Sequence, residues 1–298
     1  MSTRHSHRRI YEEQLYENPE ATFKQGRHNS RNLADLIISF SKHRGSTLSD
    51  SQNSALNSFY TKPEYDLRDH IQFSTAEVVS AYFSLFDDLF FFGSLRDRCN
   101  LALDREESSY TGSRGQMTLI GTEVRIKRRV LGLVEKTFGE QGWTIVLNPP
   151  REEFPGRYAM MKAYVETLLH EMIHAFLELW TCDHKGCING FEKLGKTRHG
   201  KVWQEVALAI EDSVRDAGFL NLDLYLNRET SLALEIVISD EDVLESYLRR
   251  WDMKRADVDE AVRVLIGRKE RHDDRSIVTG RSGAKKKARI TRIIDRLL

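Results

Sequence analysis

No apolar run in the sequence approaches the ~18 residues a membrane-crossing helix needs. Cysteine is scarce as well. Cys99, Cys182 and Cys187 are the whole complement. That is too few for a disulfide framework in a chain of 298 residues, so a reducing compartment is expected rather than export. The opening MSTRHSHRRIYEEQ is basic but has no apolar stretch behind it, which argues against a secretory signal. Net charge is also missing: 45 Lys and Arg balance 45 Asp and Glu, and the total argues neither for nor against nucleic acid. What is present is a 40% apolar share, enough for one sizeable core and one to two domains.

The charge is unevenly spread. From Arg249 to Leu298 there are 16 basic and 8 acidic residues, a surplus of +8 that the first 248 residues offset with −8. From Arg281 onward the ratio is 7 to 1. An acidic-to-neutral body therefore carries a basic tail.

Three regions follow from composition. Residues 1–72 are rich in Ser, Asn, Arg and His and poor in bulky apolar side chains, as in a flexible N-terminal region. Within it, RNLADLIISFSKH places Leu33, Leu36, Ile37 and Phe40 on one helical face behind a Ser30 cap. That pattern suits a docking helix or a local amphipathic segment rather than a core. Residues 73–222 form the main domain. Ser74 caps a helix through TAEVVSAYFSLFDDLFF, and Gly93 ends it. Between Asn100 and Asn148, MTLIG, TEVRIKRRV and GWTIVLNP read as strands. After Pro155-Gly156 a helix runs from about Arg157 to Trp180, with Val165, Leu168, Leu169, Met172, Ile173 and Phe176 as its apolar stripe. A polar, Gly-containing loop from Thr181 to Arg198 leads to a second helix, about His199 to Ala217, that stops at Gly218. Residues 223–298 read as two short helices, Asp240 to Trp251 and Ala256 to Arg271, followed by the basic tail. The fold class is α+β.

The chemistry lies in LLHEMIHAF. His170 and His174 are four apart on a helix, so both imidazoles point the same way beside the apolar stripe. A metal about 2.0–2.1 Å from each nitrogen suits that spacing, and two or three imidazoles without a thiolate suit zinc. Glu171, about 100° round the helix, is placed to take a proton from a water at the metal and deliver it to a leaving amine. A catalytic zinc wants a third protein ligand. The metzincin continuation needs Gly at 177 and His at 180, but Leu177 and Trp180 stand there. The remaining candidates are His184, Glu192, Glu205 and His199. His199 is favoured, because a helix packed by Trp203 and Val206 can return it to the metal and Gly200 leaves room for close approach.

LLHEMIHAF followed by a loop and RHGKVWQ resembles the SprT-like zinc metallopeptidases, the group that includes the Spartan proteases, and YFSLFDDLFFFGSL resembles that family's opening helix. The resemblance spans roughly Ser74 to Phe219. It implies a minimal zincin-type domain built of an opening helix, a small antiparallel sheet, the HExxH helix and a third-ligand helix. It further implies one catalytic Zn2+ held by His170, His174 and His199, with Glu171 as catalytic acid/base. The implied activity is metal-dependent cleavage of proteins, with DNA-bound or DNA-crosslinked proteins as substrates in the best-understood members. Two family features are missing. No Cys occurs after Cys187, so neither a zinc ribbon nor a ubiquitin-binding zinc finger is expected in residues 188–298, and with Gln204 the last Gln no Gln-initiated, aromatic-ended clamp-binding box is found.

Weaker signals remain. TCDHKGC offers Cys182, His184 and Cys187 but no fourth ligand nearby, so free thiols or a loop-pinning contact are expected rather than a second zinc. Arg125, Lys127 and Arg129 alternate on one face of TEVRIKRRV, either as a solvated, charge-protected edge or as a stripe tracking a phosphate backbone. WTIVLNPP is either an edge strand on which substrate peptide pairs or an ordinary core strand. Lys285, Lys286, Lys287 and Arg289 in the tail read as a nuclear-localisation cluster, a DNA-binding arm or a solvated end. Two activities of different class follow: a nuclear zinc endopeptidase acting near DNA, or a DNA- or chromatin-binding adaptor whose zinc is structural. Glu171 beside an open metal position favours the enzyme.

Overall fold

The computed structural model describes residues 22–68, 72–103, 119–120, 123–124, 132–137, 142–147, 154–184, 187, 190–240 and 242–277. The first described helices lie in the segment expected to be flexible, and they are not loose. Helix α1, Ser30–Phe40, is capped by Asn29 rather than Ser30, its side chain accepting from the N–H groups of Arg31 and Asn32. Leu33, Ala34, Ile37 and Phe40 enter the main core. Helix α2, Asp50–Thr61, opens with a Ser49/Gln52 capping box. The amide of buried Gln52 then donates to the carbonyls of Phe40 and Leu89, tying α1 and α2 to the next helix. Within residues 22–68 the chain packs through an apolar face that includes Phe23, Leu33, Ile37, Phe40 and Leu67 and through buried polar residues, His28, Ser41 and Gln52 among them, while residues 1–21 lie outside the described residues. Apolar density does not register such packing.

Helix α3, Thr75–Phe90, starts at the expected Ser74 with a Ser74/Glu77 capping box. It is buried along Val78, Val79, Tyr82, Phe86, Leu89 and Phe90. Asp87, also buried, turns the chain at its end: its carboxylate accepts from the N–H groups of Leu95 and Arg96, each at 3.0 Å. Burial raises its pKa to about 7, against the pull of those two N–H groups and of Arg96. Asp87→Ala strips both N–H groups of their acceptor and is expected to lower unfolding free energy by about 2–3 kcal/mol in a urea titration. An unchanged midpoint would show that the turn holds without it.

Strands β1 (Cys99–Leu103), β4 (Gly132–Thr137) and β5 (Gly142–Leu147) form one sheet in the order β1-β5-β4. Strands β2 (Leu119–Ile120) and β3 (Glu123–Val124) pair separately as a short antiparallel ladder. The three-stranded sheet is mixed, not antiparallel as expected. β4 runs antiparallel to β5, but β1 runs parallel to it, Cys99 opposite Trp143 and Leu103 opposite Leu147. Connection length explains the difference. Four residues join β4 to β5, enough only for a hairpin, whereas the 38 residues between β1 and β5 allow the crossover that parallel neighbours require. WTIVL is therefore the central strand, paired on both sides, and not an edge open to peptide.

Helix α4, Arg157–Trp180, lies across β4 and β5 and also packs on α3. A 3₁₀ turn at Phe191–Leu194 leads to helix α5, Lys201–Arg215, whose Val202, Trp203, Val206, Ile210 and Val214 are buried. Beyond it come α6, Arg228–Ser239, α7, Glu245–Arg250, and α8, Arg255–Ile277. Of these α6 was unexpected and α7 is shorter than expected. The residue before helix α6, Asn227, is left-handed (φ 53°) and makes no side-chain cap, and the helix contains three consecutive β-branched residues, Ile236, Val237 and Ile238. The local pattern thus hides a helix that tertiary packing on α8 supports. Among the described residues no helix is long and apolar enough to cross a membrane. Arg125, Lys127, Arg129, Lys285, Lys286, Lys287 and Arg289 lie outside the described residues.

Candidate metal centre

On α4, Val165, Leu168, Leu169, Met172, Ile173 and Phe176 are fully buried, which fixes the helix's rotation. His170 and His174 then project from the flank towards the loop before α5. That loop is bent for close approach: Gly195 (φ 97°) and Arg198 (φ 71°) both take left-handed backbone, and the Gly200 N–H donates to the Leu194 carbonyl at 2.9 Å. A Cβ on Gly200 would sit 2.8 Å from that carbonyl oxygen, so the residue after His199 has to be glycine for the loop to close. His199 itself lies two residues ahead of α5, not within it as the sequence suggested.

The outcome is three convergent imidazoles. The His170 and His174 Nε2 atoms are 3.2 Å apart, and each is 3.0 Å from His199 Nε2. Trp203, fully buried, packs against all three rings, with centroid distances of 4.6, 5.6 and 4.9 Å to His170, His174 and His199. The three Nε2 atoms face one point, at which a single cation could be shared by all three. The separations of 3.0–3.2 Å leave room between the three nitrogens for an ion at the about 2.0–2.1 Å that zinc takes to imidazole, so His170, His174 and His199 would fit one. The three histidines are the one group of three metal-capable side chains among the described residues.

The electrostatics agree with the donor set. Burial pulls the pKa of His170 down to about 4. Burial, and then the neighbouring imidazoles, hold His174 and His199 well below the ordinary value. The rings are thus neutral, the form that binds metal. Glu171 is only 7% exposed, and burial, with Glu178 adding, raises its pKa to about 8. A metal cation acts on such a carboxyl in the opposite direction.

A second layer orients two of the rings. His170 Nδ1 lies 3.1 Å from the Leu226 carbonyl oxygen, which can only accept; Nδ1 therefore carries the proton and Nε2 the lone pair. His199 Nδ1 lies 3.1 Å from Thr197 Oγ1, and the Thr197 hydroxyl donates to Glu235 at 2.6 Å. The Gln204 amide donates to the carbonyls of His199 and Arg228, 3.2 and 3.3 Å away. Sequence reasoning named His170, Glu171, His174 and His199 but missed Leu226, Thr197, Glu235 and Gln204. The polar loop before His199 was the one available hint of Thr197. A carbonyl such as that of Leu226 leaves no mark in sequence.

The other third-ligand candidates are not brought to this point. His184 stands outside the cluster, Glu205 pairs with Arg31 and Arg250, and the Glu192 side chain is outside the described residues. Cys182 and Cys187 are buried and form no disulfide, and their side chains lie within hydrogen-bonding reach of each other. No family model, no curated protein and no solved structure matches the chain.

Proposed function

We propose that this chain is a zinc endopeptidase of the SprT-like type, a minimal zincin whose substrates are proteins bound or crosslinked to DNA. The observation that carries the reading is the meeting of three neutral Nε2 atoms within 3.2 Å, two of them from an HExxH helix whose intervening Glu171 is buried beside them. His170, His174 and His199 would hold the ion. Bound there, zinc supplies Lewis acidity towards the scissile carbonyl and makes water a better nucleophile near neutral pH. Glu171 takes the proton of the attacking water and passes it to the leaving amine nitrogen, so that one carboxyl serves as base and then as acid. The Leu226 carbonyl keeps His170 in the ligating tautomer throughout, and Trp203 closes the floor of the site against water.

Support for DNA as the source of selectivity is the +8 surplus from Arg249 to Leu298, together with Arg125, Lys127 and Arg129. The test is incubation of the zinc-loaded chain with a DNA-binding protein, with and without single-stranded DNA, and again after chelation. The expected result is cleavage that DNA stimulates, the chelator abolishes and added zinc restores. Removing residues 281–298 should weaken DNA binding and flatten its salt dependence. A protein that holds zinc and binds DNA but cleaves nothing would instead be an adaptor with a structural metal, and an unchanged salt slope would remove the tail from the account.

A further inference from the structure

We propose that Glu235, on α6, is a positioning residue for the metal centre, acting through the Thr197 hydroxyl to lock His199 in the tautomer that can bind metal. The inference rests on the three histidines being a metal site and adds a residue from beyond the HExxH and third-ligand elements.

Three donors converge on the Glu235 carboxylate. The Lys196 N–H reaches Oε1 at 2.6 Å, and the Thr197 N–H and hydroxyl reach Oε2 at 2.7 and 2.6 Å. Gly195 makes the approach possible, since a Cβ there would meet the carboxylate at 2.8 Å. The consequence is directional. An ionised carboxylate only accepts. The Thr197 hydroxyl must therefore spend its one proton on Glu235, and what it turns towards His199 Nδ1, 3.1 Å away, is a lone pair. Nδ1 must then carry the ring proton, and Nε2 is left with the lone pair that faces His170 and His174. If residue 235 could donate, the hydroxyl would be free to rotate and donate to Nδ1. The proton would move to Nε2, and the ligand would be lost. The carboxylate thus acts on His199 at one remove, as outer partners of metal-ligating histidines commonly do. It comes from a helix that packs on α8, so the segment after residue 222 contributes to the site instead of merely following it.

Zinc affinity of the full-length chain, measured by competition with a chromophoric chelator, tests this without any assay of activity. Thr197→Val keeps the shape and removes the relay, and is expected to weaken zinc binding by roughly 10- to 100-fold. Thr197→Ser restores the hydroxyl and should bind like wild type. Glu235→Gln should weaken binding roughly tenfold, and the double variant Thr197→Val/Glu235→Gln should be no weaker than Thr197→Val alone. Long-range ¹⁵N–¹H correlation on the metal-free chain reads the tautomer directly: Nδ1-protonated His199 in wild type, with Nε2 protonation appearing in Glu235→Gln. Wild-type affinity in Thr197→Val, or independent additive losses in the double variant, would overturn the proposal while leaving the metal site in place. If Glu235→Gln fails to fold, Thr197→Val and Thr197→Ser still decide. A wild-type chain that binds no zinc would refute the metal reading itself, an outcome the variants cannot mimic.

Discussion

Glu171→Gln is expected to leave a folded, zinc-loaded protein that cleaves substrate 10²- to 10⁴-fold more slowly. Glu171 follows the first histidine directly and lies buried on the same helix, so its amide analogue fills the same volume and disturbs none of the three ligands. Gln cannot accept a proton from water, and the transfer that takes a proton from the nucleophile and later delivers it to the leaving amine loses its carrier. A factor of that size corresponds to about 3–5 kcal/mol of barrier. Zinc content should be unchanged. Were Glu171→Gln to cleave at the wild-type rate, the carboxyl would have no chemical role, and the proposed mechanism would fall even if the metal stayed.

The largest expected stability effect is in the pair Glu211–Arg228. Both side chains are almost wholly buried, and Arg228 Nε donates to Glu211 at 2.6 Å. The other carboxylate oxygen accepts the Leu226 N–H at 2.6 Å, and the guanidinium also reaches the Trp251 carbonyl at 2.8 Å. The pair therefore joins α5 to the start of α6 and to the end of α7. Glu211→Ala leaves a buried guanidinium without its anion and a backbone N–H without its acceptor, and should destabilise the fold by about 3–5 kcal/mol. Arg228→Met with Glu211→Leu removes both charges together and should cost much less. Chemical denaturation of the three proteins separates the cases, and a Glu211→Ala loss below about 1 kcal/mol would mean that water reaches the pair. Because Leu226 contacts His170 through its carbonyl and Glu211 through its N–H, Glu211→Ala should also loosen the position of His170.

Local information was enough for the helix that carries the site. Helix α4 occupies Arg157–Trp180 as the apolar stripe and the preceding Pro-Gly indicate, and the four-residue spacing of His170 and His174 needs only helical geometry to bring their rings together. Glycine at 200 marked the close approach of His199, which the Leu194 carbonyl makes concrete. What was hidden depends on partners remote in sequence. The segment 22–68 is held by apolar residues such as Leu33, Ile37 and Phe40 entering the main core and by Gln52 reaching the remote Leu89 carbonyl, which no composition window detects. The parallel pairing of β1 with β5 follows from a long connection, not from any property of the strands. Helix α6 runs against its own β-branched pattern, and with it Glu235 escaped notice, 36 positions beyond the histidine it supports.

The most direct test of the central claim is metal content per chain in the purified protein, measured with X-ray absorption at the zinc edge. The expected result is one zinc per chain bound by three imidazole nitrogens at about 2.0 Å and at least one further light ligand, with the metal lost in both His174→Ala and His199→Ala. A chain that carries no zinc after reconstitution, or that retains it equally in both variants, would contradict the metal centre and the peptidase built upon it.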